Sequence, residues 1–196
     1  MRTIETTIYE FNELSEKAKR KAIDKFIEND YIDFSDENES LKKFCELFGL
    51  SYREHSHYNS VFFTFNFDNS DLEDLKGIKL STYLWNNYKT SLFKNKIYYS
   101  QKTGNFKKRT SKIILDNSCV LTGVYSDDEI LNPIYTFLKH PDTETTFNDL
   151  IDKCFKSYVK MIDSAREYYV SDEYVIEQLE DCEYEFDENG NSCTYC

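Results

Sequence analysis

The residue types best able to do chemistry in this chain are six cysteines, three histidines and 36 acidic side chains. Cys193 and Cys196 form a CxxC pair with Cys182 upstream, a spacing with which thiolates can grip one tetrahedral zinc ion. Four ligands are needed and the stretch supplies three, so incidental thiols are the simpler reading and no metal is expected. His55 and His57 alternate in YREHSHY and would share a side if the segment were extended. Two histidines do not make a site, and a polar loop before a strand explains them as well. His140 stands beside Pro141, where a helix should stop. Cys45, Cys119 and Cys154 sit singly in apolar periodic segments, as reduced buried thiols do.

Signatures of catalysis are missing. The chain has no Gly-rich phosphate loop, no nucleophile elbow and no zinc-protease helix, and only five glycines in all. Carboxylates abound, but a catalytic one needs a buried setting that shifts its pKa, and no pair is marked out for that. The expectation is a binding protein without enzymatic activity or cofactor.

Charge is the informative property. The formal net charge is -12, which opposes general electrostatic attraction to nucleic acid. Residues 1–75 carry about -8, residues 76–115 carry +10 with no acidic side chain, and residues 116–196 carry -14. Between Asp163 and Asp181 the acidic residues are Asp163, Glu167, Asp172, Glu173, Glu177, Glu180 and Asp181, with Arg166 the only base. On a helix this is one negative charge about every 4 Å, close to the roughly 3.4 Å spacing of phosphates along a DNA strand. Such a ridge could fill a groove built for nucleic acid, and Glu183, Glu185, Asp187 and Glu188 would extend it. The competing reading is that the acidic faces simply solvate the protein. In the basic stretch, Lys94, Lys96, Lys102, Lys107, Lys108 and Arg109 interleave with Tyr98, Tyr99 and Phe106, a mixture of charges for phosphates and rings for bases. The same arm could instead neutralise acidic parts of this chain or of a second copy.

The elements that must position these residues follow from periodicity. Ile4–Phe11 reads as a strand, and Ser15 caps a helix with Ala18, Ala22, Ile23, Phe26 and Ile27 on one face. A second helix carries Leu41, Phe44, Cys45 and Phe48 and ends at Gly49. Ser60–Phe67 is a strand with Val61, Phe63, Phe65 and Phe67 on one face. Residues 71–93 suggest a helix broken at Gly77, and Lys96–Ser100 with Lys112–Leu115 suggest a hairpin across QKTGNFKKRT. Ser118–Tyr125 reads as extended. Ser126/Glu129 and Thr146/Asp149 stand in capping-box relation, opening one helix that ends before His140 and a long one through Tyr169. Ser171 caps a last helix to Asp181, and two short strands turn at Asn189 and Gly190. The expected fold class is α+β in a single domain, 1–196: a small antiparallel sheet, about five or six helices and a helical C-terminal third, with the basic hairpin near 94–115 as an insert. No run reaches the roughly 20 apolar residues of a membrane span, and the start lacks a secretory signal, so a cytoplasmic protein with no membrane partner is expected.

FNELSEKAKRKAI, CVLTGVYSDDEILNPIYTFLKHPDTETTFNDLIDKCF and SDEYVIEQLEDCEYEFDENG resemble a family of small accessory proteins of tailed bacteriophages, often labelled antitoxin-like. The resemblance covers about half of the chain, in its two flanks, and carries no catalytic residue. It implies a phage origin and, by analogy with anti-CRISPR and anti-restriction proteins that present DNA-like acidic surfaces, a counter-defence inhibitor. The expected partner is a host nucleic-acid-handling protein, a CRISPR effector nuclease first, met in the host cytoplasm by the acidic C-terminal residues. The alternatives are a nucleic-acid-binding regulator using the basic hairpin and an antitoxin neutralising a basic toxin.

Overall fold

The computed structural model describes residues 7–29, 32–57, 60–67, 72, 74–95, 97–108 and 115–193. In chain order its elements are β1 (Tyr9–Glu10), α1 (Glu16–Asn29), α2 (Ser35–Phe48), β2 (Leu50–His57), β3 (Ser60–Phe67), α3 (Gly77–Leu92), β4 (Lys94–Asn95), β5 (Ile97–Ser100), β6 (Asn105–Lys108), β7 (Leu115–Asp116), α4 (Ser126–Lys139), α5 (Phe147–Tyr169), α6 (Asp172–Asp181) and β8 (Glu185–Phe186). The class is α+β, with a helical C-terminal third. Among the described residues all strand pairs are antiparallel and two-stranded: β1 with β8, β2 with β3, β4 with β7 and β5 with β6. The chain groups into two compact units, Phe34–Ile162 and a second formed by Met1–Asp33 with Asp163–Cys196.

In the unit Phe34–Ile162, helices α2, α3, α4 and α5 turn apolar stripes to one core. Phe44, Leu80, Leu84, Ile130, Ile134 and Ile151 are fully buried there, each worth about 1.5–3 kcal/mol of transfer free energy. Strand alternation does the rest, because Phe63 and Phe65 stack on Phe155 at ring-centroid distances of 5.0 and 5.3 Å, while Phe67 meets Phe147 at 5.0 Å. Thr64 and Asn66, on the opposite face, are exposed. Burial pushes the Cys45 thiol up to about 12 and the Cys154 thiol higher still, so both stay protonated core groups.

In the other unit, α1 buries Ala18, Ala22 and Ile23 with Val175 and Leu179 of α6 and Phe186 of β8. Ser15 caps α1 through its Oγ, which accepts from the Ala18 N–H at 3.3 Å, and Ser171 caps α6 through the Tyr174 N–H at 3.3 Å. Arg20 reaches Asp172 at 2.7 Å, and Lys25 Nζ donates to Asn191 Oδ1 at 2.7 Å.

Several elements differ from the sequence reading, each because a partner distant in sequence decides. LSYREHSH is a strand rather than a loop, since its backbone pairs with β3 along its whole length, from Leu50 opposite Phe67 to His57 opposite Ser60. The segment 71–93, expected as a helix broken or bent at Gly77, is helical at Leu72, leaves the helix at Asp74 and resumes as α3 at Gly77, whose N–H donates to Thr145 O at 3.0 Å. The basic hairpin closes more tightly than expected. Ile97 faces Lys108 and Ser100 faces Asn105, with Gly104 at φ 63° in the turn, so residues 105–108 form a strand instead of connecting loop. Leu115–Asp116 pairs with Lys94–Asn95. The strands expected around Asn189 reduce to one bridge between Phe186 and Ser192, because β8 pairs with β1. The expected strand residues 4–6 and 112–114 lie outside the described residues.

The segment 118–125 is a series of turns and bends instead of an extended strand. Its amides go to a carboxylate: Asp127 Oδ2 accepts from the N–H groups of Leu121, Thr122 and Gly123 at 2.9, 2.8 and 3.0 Å. The Ser126/Glu129 capping box does not form. Ser126 Oγ donates to Ser40 at 2.9 Å, and Glu129 accepts from the Tyr125 hydroxyl.

Thr146 and Asp149 do form their box: the Asp149 carboxylate accepts from the Thr146 N–H at 3.0 Å, and Thr146 Oγ1 accepts from the Asp149 N–H at 3.2 Å. Thr146→Ala is expected to cost about 1 kcal/mol in urea unfolding at neutral pH. The Thr146 hydroxyl, then its N–H, holds the Asp149 carboxyl below the usual carboxylate range. A lowered folded pKa gives stability that is present above the unfolded value of about 3.9 and lost as pH falls through the folded one. The gap between variant and wild type should therefore shrink in acid. A gap unchanged down to the acid transition would remove the box as its cause.

Candidate functional site

The seven acidic positions lie on α5 and α6. On α6, Val175 and Leu179 are 0% and 2% exposed and fix the inward face. Glu173, Glu177, Glu180 and Asp181 are all exposed, within about 100° of the helix circumference on the opposite side, given 3.6 residues per turn. Among the described residues no base lies within ion-pair distance of any of these four. They span about 12 Å of helix, the length over which one DNA strand presents three to four phosphates. Asp172 is bound to Arg20, and Asp163 lies 3.5 Å from Arg166, one turn before the exposed Glu167.

The sequence reading named Glu183 and Glu185 as extensions of this surface and missed Glu10. A hollow of about 430 Å³ is lined by Glu10, Glu180, Glu183 and Glu185. Glu10 comes from β1, more than 150 positions before Glu180, and faces Glu185 directly across the β1–β8 ladder, a like-charge placement that costs stability. Glu183 is held there by the end of α6. The Glu183 N–H donates to Glu180 O at 3.2 Å and the Tyr184 N–H to Leu179 O at 3.3 Å, a Schellman termination whose left-handed residue is usually glycine. Here it is Glu183, at φ 52°. Asp187 does not extend the surface, because its carboxylate accepts from Asn189 N, Asn191 N and Asn191 Nδ2. Its pKa is lowered by the Asn191 side chain first.

Of the basic positions, Lys102, Lys107 and Lys108 are exposed. Lys94 is exposed as well, and its Nζ donates to Cys119 O at 3.0 Å. Lys96 and Arg109 lie outside the described residues. Tyr98 and Tyr99 are placed by backbone register opposite Lys107 and Phe106.

His55 Nε2 lies 3.0 Å from Thr64 Oγ1 across the β2–β3 pair. Cys182 is exposed, Cys193 is half-buried and Cys196 lies outside the described residues. Among the described residues no three His, Cys, Asp or Glu side chains are grouped to hold a metal ion, and no helix is long and apolar enough to cross a membrane. A second cavity, of about 380 Å³, is floored by Ala22, Phe26, Leu179 and Phe186, with Lys25 and Asn191 at its rim. Comparison with family models, with curated proteins and with solved structures returns no match for this chain.

Proposed function

We propose that this protein is a non-catalytic, phage-encoded inhibitor that docks its α6 face on the positively charged groove of a host nucleic-acid-handling enzyme, a CRISPR effector nuclease in the first instance. The observation that carries the reading is the stripe of Glu173, Glu177, Glu180 and Asp181, four exposed carboxylates with no base within ion-pair distance among the described residues, spaced like strand phosphates. Two features support it. Glu183 occupies a backbone conformation that costs a non-glycine residue about 1 kcal/mol, and the Glu10–Glu185 pairing concentrates charge that would repel itself. Both give up stability to keep carboxylates around one hollow, which suits a lysine or arginine of the partner. The protein would act by occupying the groove, associating fast at low salt through its field.

The test is target-DNA loading by a purified effector complex. Wild-type protein should block loading, with an affinity that falls steeply with salt. Replacing Glu173, Glu177, Glu180 and Asp181 together by lysine should weaken the block at least about a hundredfold while the circular dichroism spectrum stays unchanged. Glu183→Gly should raise the melting temperature and weaken the block. Inhibition indifferent to the four-residue reversal would sink the reading.

A further inference from the structure

The basic hairpin is not absorbed by that function. The strand β6 has all four of its side chains exposed, and the Phe106 ring is 75% exposed. Elsewhere, Arg20 on α1, Lys43 on α2 and Lys156 on α5 are each paired with a carboxylate. Among the described residues, Lys102, Lys107 and Lys108 have no carboxylate within ion-pair distance, although the chain holds 36 acidic residues. Alternation puts Phe106 and Lys108 on one face of β6 and Lys107 on the other, so a cation flanks the ring on its own face and a second lies beside the strand.

We propose that the β5–β6 hairpin is a docking surface for single-stranded nucleic acid, with the three lysines on phosphates and the Phe106 ring stacked on a base. Charge complementarity requires a polyanion. The exposed ring selects among polyanions, because an unpaired base offers a π-face that a stacked duplex hides and an acidic peptide lacks. The net charge of the protein does not prevent this, since beyond about 8 Å it is screened at physiological salt while contacts at the hairpin are not.

The experiment is fluorescence anisotropy with a labelled oligothymidylate of about twelve nucleotides, beginning near 50 mM salt. Binding is expected, with log K falling against log salt at a slope near -2, as three neutralised phosphates on a single strand give. Phe106→Ala should weaken it roughly five- to a hundredfold, and Phe106→Trp should restore it. The double variant Lys107→Glu/Lys108→Glu should bring it below detection. Should that variant fail to fold, the Phe106 pair decides, because an exposed ring can be exchanged without touching the core. Glu173→Lys/Glu177→Lys should leave oligonucleotide binding intact, which separates failure of this proposal from failure of the one above. The proposal is overturned by absence of binding at low salt, by equal affinity for the duplex, by indifference to Phe106→Ala, or by a hairpin-dependent self-association in sedimentation equilibrium without oligonucleotide binding.

Discussion

Replacing Asp127 by alanine is expected to destabilise the protein by about 3–5 kcal/mol, enough to lower its melting temperature by roughly 10 °C. The side chain is 0% exposed and ends a directed chain of hydroxyls. Thr122 Oγ1 spends its proton on Asp127 Oδ1 at 3.0 Å. Ser40 must then be the donor across the 2.8 Å contact to Thr122, and Ser126 donates to Ser40 at 2.9 Å. Alanine would strand three part-buried loop amides and reverse or break this relay, a fully buried donor left alone costing about 1–3 kcal/mol and a part-buried one less. Asparagine should cost less than alanine, because its oxygen can keep the amides and its NH₂ can donate to Thr122 if the hydroxyls turn around. Equal losses for the two substitutions, or a loss below about 1 kcal/mol for alanine, would show that the 118–125 segment takes its order from something else.

Gly190→Ala should be nearly as damaging, for a backbone reason. Gly190 sits at φ +75°, and a Cβ built on it would lie 2.2 Å from the carbonyl oxygen of Ala18 and 2.9 Å from its carbonyl carbon. Ala18 is buried in the first turn of α1, so neither side can yield without moving that helix against its partners. Left-handed strain of about 1–2 kcal/mol plus the overlap should total about 3 kcal/mol or more. Gly49 is the control: its φ is +63° and nothing lies within 4 Å of an added Cβ, so Gly49→Ala should show the strain alone, about 1 kcal/mol. Chemical denaturation of both variants checks the pair, and similar losses would mean that the contact with α1 relaxes freely.

What could be read from the sequence was what neighbouring residues decide. Ser15, Ser171, Thr146 with Asp149, and Gly49 cap helices within a few positions of themselves, and the aromatic alternation of β3 shows in six residues. LSYREHSH has too few apolar side chains to declare itself a strand; it becomes one because β3 supplies the backbone partners. Ser126 looked like a cap, but Ser40, 86 positions earlier, takes its proton. The candidate surface divides the same way. The α6 stripe follows from helical spacing alone, whereas Glu10 joins it only through the β1–β8 pairing. Glu183 belongs to it through a helix-ending backbone conformation that its residue type argues against.

Because β1 pairs with β8, Arg20 with Asp172, and Gly190 lies against Ala18, β1 and α1 have to wait for partners translated at least 152 positions later. During that interval the apolar face of α1 is uncovered while residues 34–162 already hold a complete core of their own. The nascent chain therefore offers Ala22, Ile23 and Phe26 to holding chaperones, and a translation stall before residue 172 would leave that stretch open to proteases.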